Sequence, residues 1–431
     1  MSLLYRFVHT VVSVGFRFYF KKVQYSGLEN IPTDKPILLA SNHPTAFFEP
    51  VMLAVTLPIE LNFITRGDVF EKPFYRKILE MLNMIPIFRF RDGFSNMKNN
   101  LATMDFVYKA LSEKKKILLF VEGSTQTSWR LRPMQKGLSR MAFGNYERFG
   151  DLDLQVLPVG FTYENPHKRH TEVSIEVGKP IALRDYYALH AENPNHAVNK
   201  LTRDIGEQLQ PLIVHLTKPE NDDLAGKIFQ MYRLSFPLDV FPIFQPSKRR
   251  LRAQQEIAEN LNQASDEKIA DLRQKMTDYE ADLNRLGLKD VAVAQPYHAR
   301  LSNNIALVLG AIPYALGVAT HYLPVWYAEQ IRKNKIKYYE FEGPIVFAVA
   351  TFLTLFFYIF MFFIALWFNH FAIWVACLLL PLLGFYALIY RDRWNKVSAA
   401  RSLQKLENGA EIAAKLFEKR YKILESVRGK Q

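Results

Sequence analysis

The sequence predicts an α/β domain with a largely parallel sheet and flanking helices, followed by a helical segment and a C-terminal transmembrane helical hairpin. Three features carry this reading. Short apolar runs alternate with helix-length stretches from Pro36 onward, a charged stretch poor in Pro and Gly follows, and two uncharged apolar runs lie side by side near the C-terminus. The apolar runs are PILLAS, IPIFRF, KILLFVEG, LQVLPVGFTY and VSIEV, and runs of this length with helical spacers between them read as strands of a parallel sheet. Polar residues stand where strands end, at Asn42 with His43 and at Glu122 with Gly123. Ligands of open α/β sheets bind at such carboxyl ends.

The flanking segments follow in chain order. Residues 1–24 interleave Leu3, Phe7, Val8, Val11, Val12, Phe16 and Phe20 with Arg6, Arg17, Lys21 and Lys22, the pattern of an amphipathic helix at a membrane interface. A helix packed on its own domain would read the same way. No small-residue cleavage site follows, which argues against a removed signal peptide. Residues 25–245 hold the α/β domain, and 246–342 form a helical linker and interfacial region. Within it Ile269, Leu272, Met276, Tyr279, Leu283 and Leu286 recur at spacings of three and four, one narrow apolar seam suited to docking on the rest of the chain. Ile305–Leu323 is apolar but contains Pro313 and His321; a span, an interfacial helix and a buried helix all fit it. Residues 343–392 carry two runs, Pro344–Phe368 and Phe371–Tyr390, each long enough to cross a hydrocarbon core of about 30 Å. Residues 393–431 form a helical tail. Arg332, Lys333, Lys335 and Lys337 precede the hairpin while Arg391, Arg393 and Lys396 follow it, so the positive-inside rule places both flanks, and the α/β domain, in the cytoplasm.

Lys plus Arg number 55 against 42 Asp plus Glu, a net charge of +13 that favours anionic partners. Because the basic residues lie beside the apolar spans and the phosphate-type motifs below, a phospholipid membrane and a phosphorylated substrate are expected, and nucleic acid is not. The single cysteine, Cys377, sits inside an apolar run, which excludes a disulfide framework and a C-x-x-C site. No H-E-x-x-H spacing is present either. Neither metal nor cofactor is expected.

The chemistry concentrates in SNHPTAFFEP. Imidazole titrates near neutrality, and a carboxylate that fixes its tautomer makes it a general base for a hydroxyl attacking an acyl group. His43 and Glu49 supply that pair, with five residues between them. On one helix, residues six apart point about 120° from each other, so His43 must precede a helix that starts at Pro44, and Glu49 must reach back from its first turns. IPIFRFRDG offers Arg89 and Arg91 for bidentate capture of phosphate. FVEGST places Glu122, Gly123 and Ser124 at a strand end, where glycine permits close backbone approach to an anion or a polyol. RLRPMQKG adds Arg130, Arg132 and Lys136, and VLPVG ends an apolar strand at Pro158 and Gly160. Ser124 as a nucleophile is disfavoured, since E-G-S-T-Q lacks the G-x-S-x-G elbow.

In this order, over about Tyr25 to Ile181, the motifs NHPTAFFEP, IPIFRFRDG, FVEGST and VLPVG resemble those of the glycerolipid acyltransferase superfamily, of the bacterial phospholipid acyltransferase type. The resemblance implies that His43 is the base and Glu49 its partner, and that Arg89, Glu122 and Gly123 contact the acceptor's phosphate and glycerol part. It implies that Val156 to Gly160 relates to the acyl donor. Asn42, Arg91, Ser124, Lys136 and Pro158 complete the expected substrate site. The implied reaction is direct transfer from acyl-CoA or acyl carrier protein to glycerol-3-phosphate or its 1-acyl derivative, at an inner, cytoplasmic membrane. Glu49 stands where the family usually has aspartate, the spacing is five where four is commonest, and Val121 replaces a proline. The five-residue spacing matches the branch resembling glycerol-3-phosphate and dihydroxyacetone-phosphate acyltransferases, which also carry paired C-terminal spans. A silent lipid-binding member of the fold and an enzyme for a neutral amphipathic alcohol are the alternatives.

Overall fold

The structure is a computed structural model that describes residues 2–87, 97–236, 241–295 and 301–428. The chain opens with α1 (Leu3–Tyr19), whose N-cap Ser2 accepts a hydrogen bond from the Tyr5 backbone. Tyr5, Val12, Phe16 and Tyr19 bury one face of α1 in the domain, while Leu3, Phe7 and Val14 stay exposed on the other. The helix packs on its own domain, the second of the two readings of this segment.

The α/β domain continues as β1 (Lys22–Ser26), β2 (Ile37–Ser41), α2 (Phe48–Thr56), β3 (Leu61–Arg66), α3 (Pro73–Met81) and β4 (Met84–Ile87). Then come α4 (Met97–Ser112), β5 (Lys116–Phe120), α5 (Gly137–Phe149), β6 (Gln155–Tyr163), β7 (Glu172–Val177) and β8 (Ile181–Ala182). The short α6 (Tyr187–Glu192), α7 (Pro194–Leu209), α8 (Asp222–Leu234) and β9 (Ile243–Pro246) complete it. The strands form one sheet in the order β4-β3-β5-β2-β6-β7-β1-β9, with β8 pairing β6. Pairing is parallel except where β6 meets β7 and β8. This is the mostly parallel, mixed sheet with flanking helices expected from the apolar runs.

Both sheet faces are covered, so the central strand β2 is buried along its length. On one face α1 and α2 bury Phe16, Phe48 and Met52 against Leu39 and Leu157, and Phe347 joins them from far along the chain. On the other, α4, α5 and α7 bury Val107, Phe143 and Leu201 against Leu38 and Val156. Gly160 of β6 is required by this packing: a Cβ there would sit 2.5 Å from the Leu212 carbonyl oxygen.

The linker forms α9 (Arg249–Gln263), α10 (Asp266–Arg285) and the short α11 (Asp290–Ala294). The predicted seam is buried at Ile269, Leu272, Met276, Tyr279 and Leu283. It packs against α8 and the C-terminal α15 (Gly409–Val427) in a third core. Three long apolar helices precede α15: α12 (Leu301–Lys335), α13 (Glu342–Phe368) and α14 (Phe371–Gln404). Each is long and apolar enough to cross a membrane, and α12 contains the Ile305–Leu323 stretch whose reading the sequence left open.

Overpacking typically costs about 1 to 3 kcal/mol, and backbone cannot yield as a side chain can. Gly160→Ala is therefore expected to lower the unfolding midpoint by about that free energy, whereas Gly137→Ala, with nothing within 4 Å of its added carbon, leaves it unchanged. Thermal unfolding of the two purified variants measures the difference.

Candidate functional site

The site forms where β2 and β5 end side by side, with Ser41 opposite Phe120 in parallel register. The Val121 N–H continues the ladder to the Ser41 carbonyl at 3.1 Å, so the loops carrying His43 and Glu122 leave the sheet together. His43 Nδ1 lies 2.9 Å from Glu49 Oε2. Glu49 has no exposed surface, and its other oxygen accepts from the Thr45 backbone at 3.1 Å and the Thr45 hydroxyl at 2.8 Å. The His43 ring stacks on Phe120, centroids 3.7 Å apart and planes 4° from parallel. Burial, and after it the Glu49 carboxylate, hold the neighbouring Tyr163 phenol well above its ordinary pKa.

One expectation is corrected here. The helix begins at Phe48, not at Pro44, and residues 44–47 form a turn in which Thr45 Oγ1 accepts from the Phe48 N–H at 3.2 Å. A helix running from Pro44 would swing residues 43 and 49 apart; the unwound turn absorbs the five-residue spacing and lets Glu49 fold back onto His43.

Glu122 holds the second loop. One of its oxygens accepts from the His43 backbone N–H at 2.8 Å and from Arg132 Nη2 at 2.7 Å, and the other from the Arg132 backbone at 2.9 Å. Its side chain is 2% exposed, so it positions the loops and offers little surface to a substrate. Arg132 also donates to the Ser124 hydroxyl at 2.8 Å and to the Ser124 carbonyl. Gly123 adopts φ +70° in this turn, the left-handed region that favours glycine. Asn42 grips the Phe161 backbone in both directions, at 3.0 and 2.8 Å, which ties the histidine loop to β6.

A cavity of about 1070 Å³ opens in front of His43. Gly123 and Ser124 line it near the histidine, and Val12 of α1, Val51 and Val55 of α2, and Phe63 of β3 make much of it apolar. Sequence reasoning missed one wall. Tyr338, Glu340 and Phe341, in the connector between α12 and α13, also line the cavity. The Ala46 N–H donates to the Glu340 carbonyl at 3.1 Å, and the Tyr339 ring packs on His167 with centroids 3.7 Å apart. The Thr127 hydroxyl donates to the Pro44 carbonyl at 2.8 Å and lies 3.2 Å from His167 Nε2, which it therefore accepts from. No local motif marks this contact, since the partners lie in remote stretches of sequence.

The other candidates are placed as follows. Lys136 is exposed just before α5 and lines a separate open hollow of about 570 Å³ with Arg132 and Arg203. Pro158 is buried opposite Ala40 of β2, and its carbonyl accepts from the Gly178 N–H at 2.9 Å. Neither lines the cavity. Arg89 and Arg91 lie outside the described residues. Arg130 is drawn away to Asp222 and to the Leu216 carbonyl. Among the described residues no cluster of His, Cys, Asp and Glu is arranged to hold a metal ion.

Residues 22–162 match the family profile described as Acyltransferase. This domain belongs to the glycerolipid acyltransferase superfamily. Glycerol-3-phosphate O-acyltransferase 1 of Saccharomyces cerevisiae is 27% identical over 206 residues, which cover 47% of this chain and 26% of the yeast protein. Glycerol-3-phosphate O-acyltransferase 2 of the same yeast is 25% identical over 225 residues, 51% of this chain and 28% of that one. The matched region thus spans about a quarter of the length of these curated relatives. Among solved structures, the 1-acyl-sn-glycerophosphate acyltransferase PlsC from Thermotoga maritima aligns with a TM-score of 0.33 and 17% identity, covering 47% of this chain and 80% of that one.

His167, the packing partner of the connector's Tyr339, has a pH signature. Burial lowers the His167 pKa from 6.5 to about 4, so the folded state binds fewer protons than the unfolded chain between those values. Stability is complete above about pH 6.5 and falls as the pH drops towards 4. His167→Gln should flatten that part of the curve of unfolding midpoint against pH; an unchanged slope would assign the acid sensitivity elsewhere.

Proposed function

We propose that the chain is a membrane-bound O-acyltransferase that moves a fatty acyl group from acyl-CoA or acyl carrier protein to glycerol-3-phosphate or 1-acylglycerol-3-phosphate in phospholipid synthesis. The observation that carries this is the His43–Glu49 pair at 2.9 Å, set at the head of a largely apolar cavity. With Nδ1 bound to Glu49, Nε2 of His43 is the nitrogen left to take the acceptor hydroxyl's proton. The hydroxyl oxygen attacks the thioester carbonyl, the C–O bond forms as the C–S bond breaks, and the departing thiolate receives the proton. The buried Glu49 carboxylate stabilises the imidazolium in between. General-base assistance contributes about 100- to 10,000-fold, so positioning must supply much of the remaining acceleration. The apolar walls suit the acyl chain, and Gly123 and Ser124 border the acceptor.

The membrane reading rests on the three apolar helices and on how α12 sits among them. Its N-terminal end meets the far end of α14 through Arg401 and Asn304 at 2.7 Å, and its C-terminal end meets the start of α13 through Arg332 and Glu342 at 3.1 Å. Midway, His321 bonds Tyr358 at 2.6 Å and Gly317 lies against Leu383. A third crossing would carry one end of α12 to the turn at Asn369. Instead both ends return towards the catalytic domain, which favours a helix that dips into the membrane and comes back, bent at Pro313 and Pro324. The hairpin α13–α14 then supplies the two crossings, with the catalytic domain on the cytoplasmic face.

Release of free thiol from an acyl thioester, measured over a panel of acceptors, tests this directly. His43→Ala should abolish release without unfolding the protein; Glu49→Gln should be nearly as damaging, and Glu49→Asp partly active. Activity of His43→Ala within a fewfold of wild type would overturn the mechanism.

The acceptor's phosphate is assigned to Arg89. A charge-assisted hydrogen bond contributes about 1.5 to 3 kcal/mol, so Arg89→Ala should weaken the acceptor by about 10- to 100-fold while dependence on the donor changes little. Arg89→Lys should fall between, because lysine restores the charge without the planar fork. Apparent affinities for acceptor and donor, measured separately and compared with Arg91→Ala, decide which arginine dominates.

A further inference from the structure

Helix α3 is the anomaly of the α/β domain. None of its residues is buried, and only Ile78 and Leu79 are half-buried. Phe74 is 72% exposed and Tyr75 51%, with Val69 and Met81 exposed at either end. Lys72, Arg76 and Lys77 accompany these rings, and the Lys72 ammonium lies 5.8 Å from the Tyr75 ring centroid. Exposed aromatics among cations on one short helix are the make-up of an interfacial helix, whose rings sit at the acyl boundary while the cations meet lipid phosphates.

Its position points the same way. The Ser2 hydroxyl donates to the Met81 carbonyl at 2.7 Å, which joins the end of α3 to the start of α1. The open face of α1 carries Leu3 and Phe7, and further along α1 Phe16 stacks on Phe347 of α13, centroids 4.5 Å apart. Helix α1 thus joins the hairpin, through the buried Phe16, to α3, with Leu3, Phe7 and Val14 exposed along it. Val69, which lines the catalytic cavity, is itself exposed, so the cavity reaches the surface beside α3.

We propose that α3 docks into the lipid bilayer surface through Phe74 and Tyr75, and that this places the mouth of the catalytic cavity at the membrane, where an acyl substrate enters from the lipid. The bilayer is the occupant because α3 is joined through α1 to the hairpin and carries cations for anionic headgroups. Lipid docking stands without the acyltransferase reading; substrate entry rests on it.

The lone cysteine makes the test direct. In a Cys377→Ala background, Phe74→Cys or Glu207→Cys is labelled with an environment-sensitive fluorophore, and the full chain is reconstituted in phosphatidylcholine–phosphatidylglycerol vesicles containing a nitroxide lipid. Glu207 is exposed on α7, which covers the opposite face of the sheet. The probe at 74 is expected to shift to the blue and to be quenched at least about twofold more than the probe at 207, as depth at the acyl boundary requires. Equal quenching overturns the docking and leaves the face to a protein partner. For substrate entry, Phe74→Ala combined with Tyr75→Ala should raise the apparent KM for a bilayer-partitioned thioester about 3- to 10-fold in vesicles, with kcat held and no change in detergent micelles. Quenching at 74 with an unaltered KM would overturn the entry route alone. Absence of any thiol release from the unmodified protein would instead overturn the acyltransferase reading and leave the docking result standing.

Discussion

The site depends on one buried carboxylate. Glu122 receives the His43 backbone N–H, the Arg132 backbone N–H and the Arg132 guanidinium, and so fastens the loop after β2 to the loop after β5 and to the segment leading into α5. Removing one partner of a buried, hydrogen-bonded ion pair costs about 3 to 5 kcal/mol, because the group left behind keeps its desolvation penalty. The position of His43 is therefore set through its backbone. Its side chain is aimed separately, by Glu49 at Nδ1 and by the flat Phe120 ring beneath it. Anchoring main chain and imidazole independently leaves the ring little freedom, the restraint that the proposed role of general base requires because proton transfer is sensitive to small errors of placement.

The site is also joined to the apolar helices. The connector between α12 and α13 meets the histidine loop at Ala46 and, through His167 and Thr127, at Pro44. Gly343, just beyond it, packs so closely that a Cβ would lie 2.2 Å from the Pro166 carbonyl oxygen. Lys21, at the end of α1, pairs with Asp392 on α14 at 2.5 Å. These contacts seat the domain on its hairpin at two separate points. Packed groups thus join the hairpin to the histidine loop.

Much of this was legible in the sequence, because it is written in local order. Alternation of apolar runs gave the parallel sheet, and the strand ends named Asn42, His43 and Glu122 as neighbours of a site. The seam from Ile269 to Leu283 announced a buried helix face, and Pro344–Phe368 announced an apolar helix. Such patterns are readable because side chains repeat with the backbone's own period, about 3.6 residues in a helix and 2 in a strand. Residue type also restricted the chemistry, since few side chains can act as a base near neutral pH.

Tertiary structure decided the rest. Nothing in E-G-S-T-Q says that its glutamate is spent on Arg132 and a backbone amide, nor does NHP reveal that its asparagine clamps Phe161. Pro44 reads as a helix start, yet Thr45 offers a competing turn that only the pull of Glu49 towards His43 selects. Phe120 opens FVEGST with no sign of its stacking, and the connector residues carry no motif; they matter because the parallel register of β2 with β5 and the return of α12 bring them to the histidine. Sequence by itself determined the periodic elements and the reactive residue types, which depend on local backbone geometry and intrinsic chemistry. Which polar groups remain free for a substrate, and which are consumed as fastenings, was settled only when distant segments packed, because a buried hydrogen-bonding group must take whatever partner the fold brings to it.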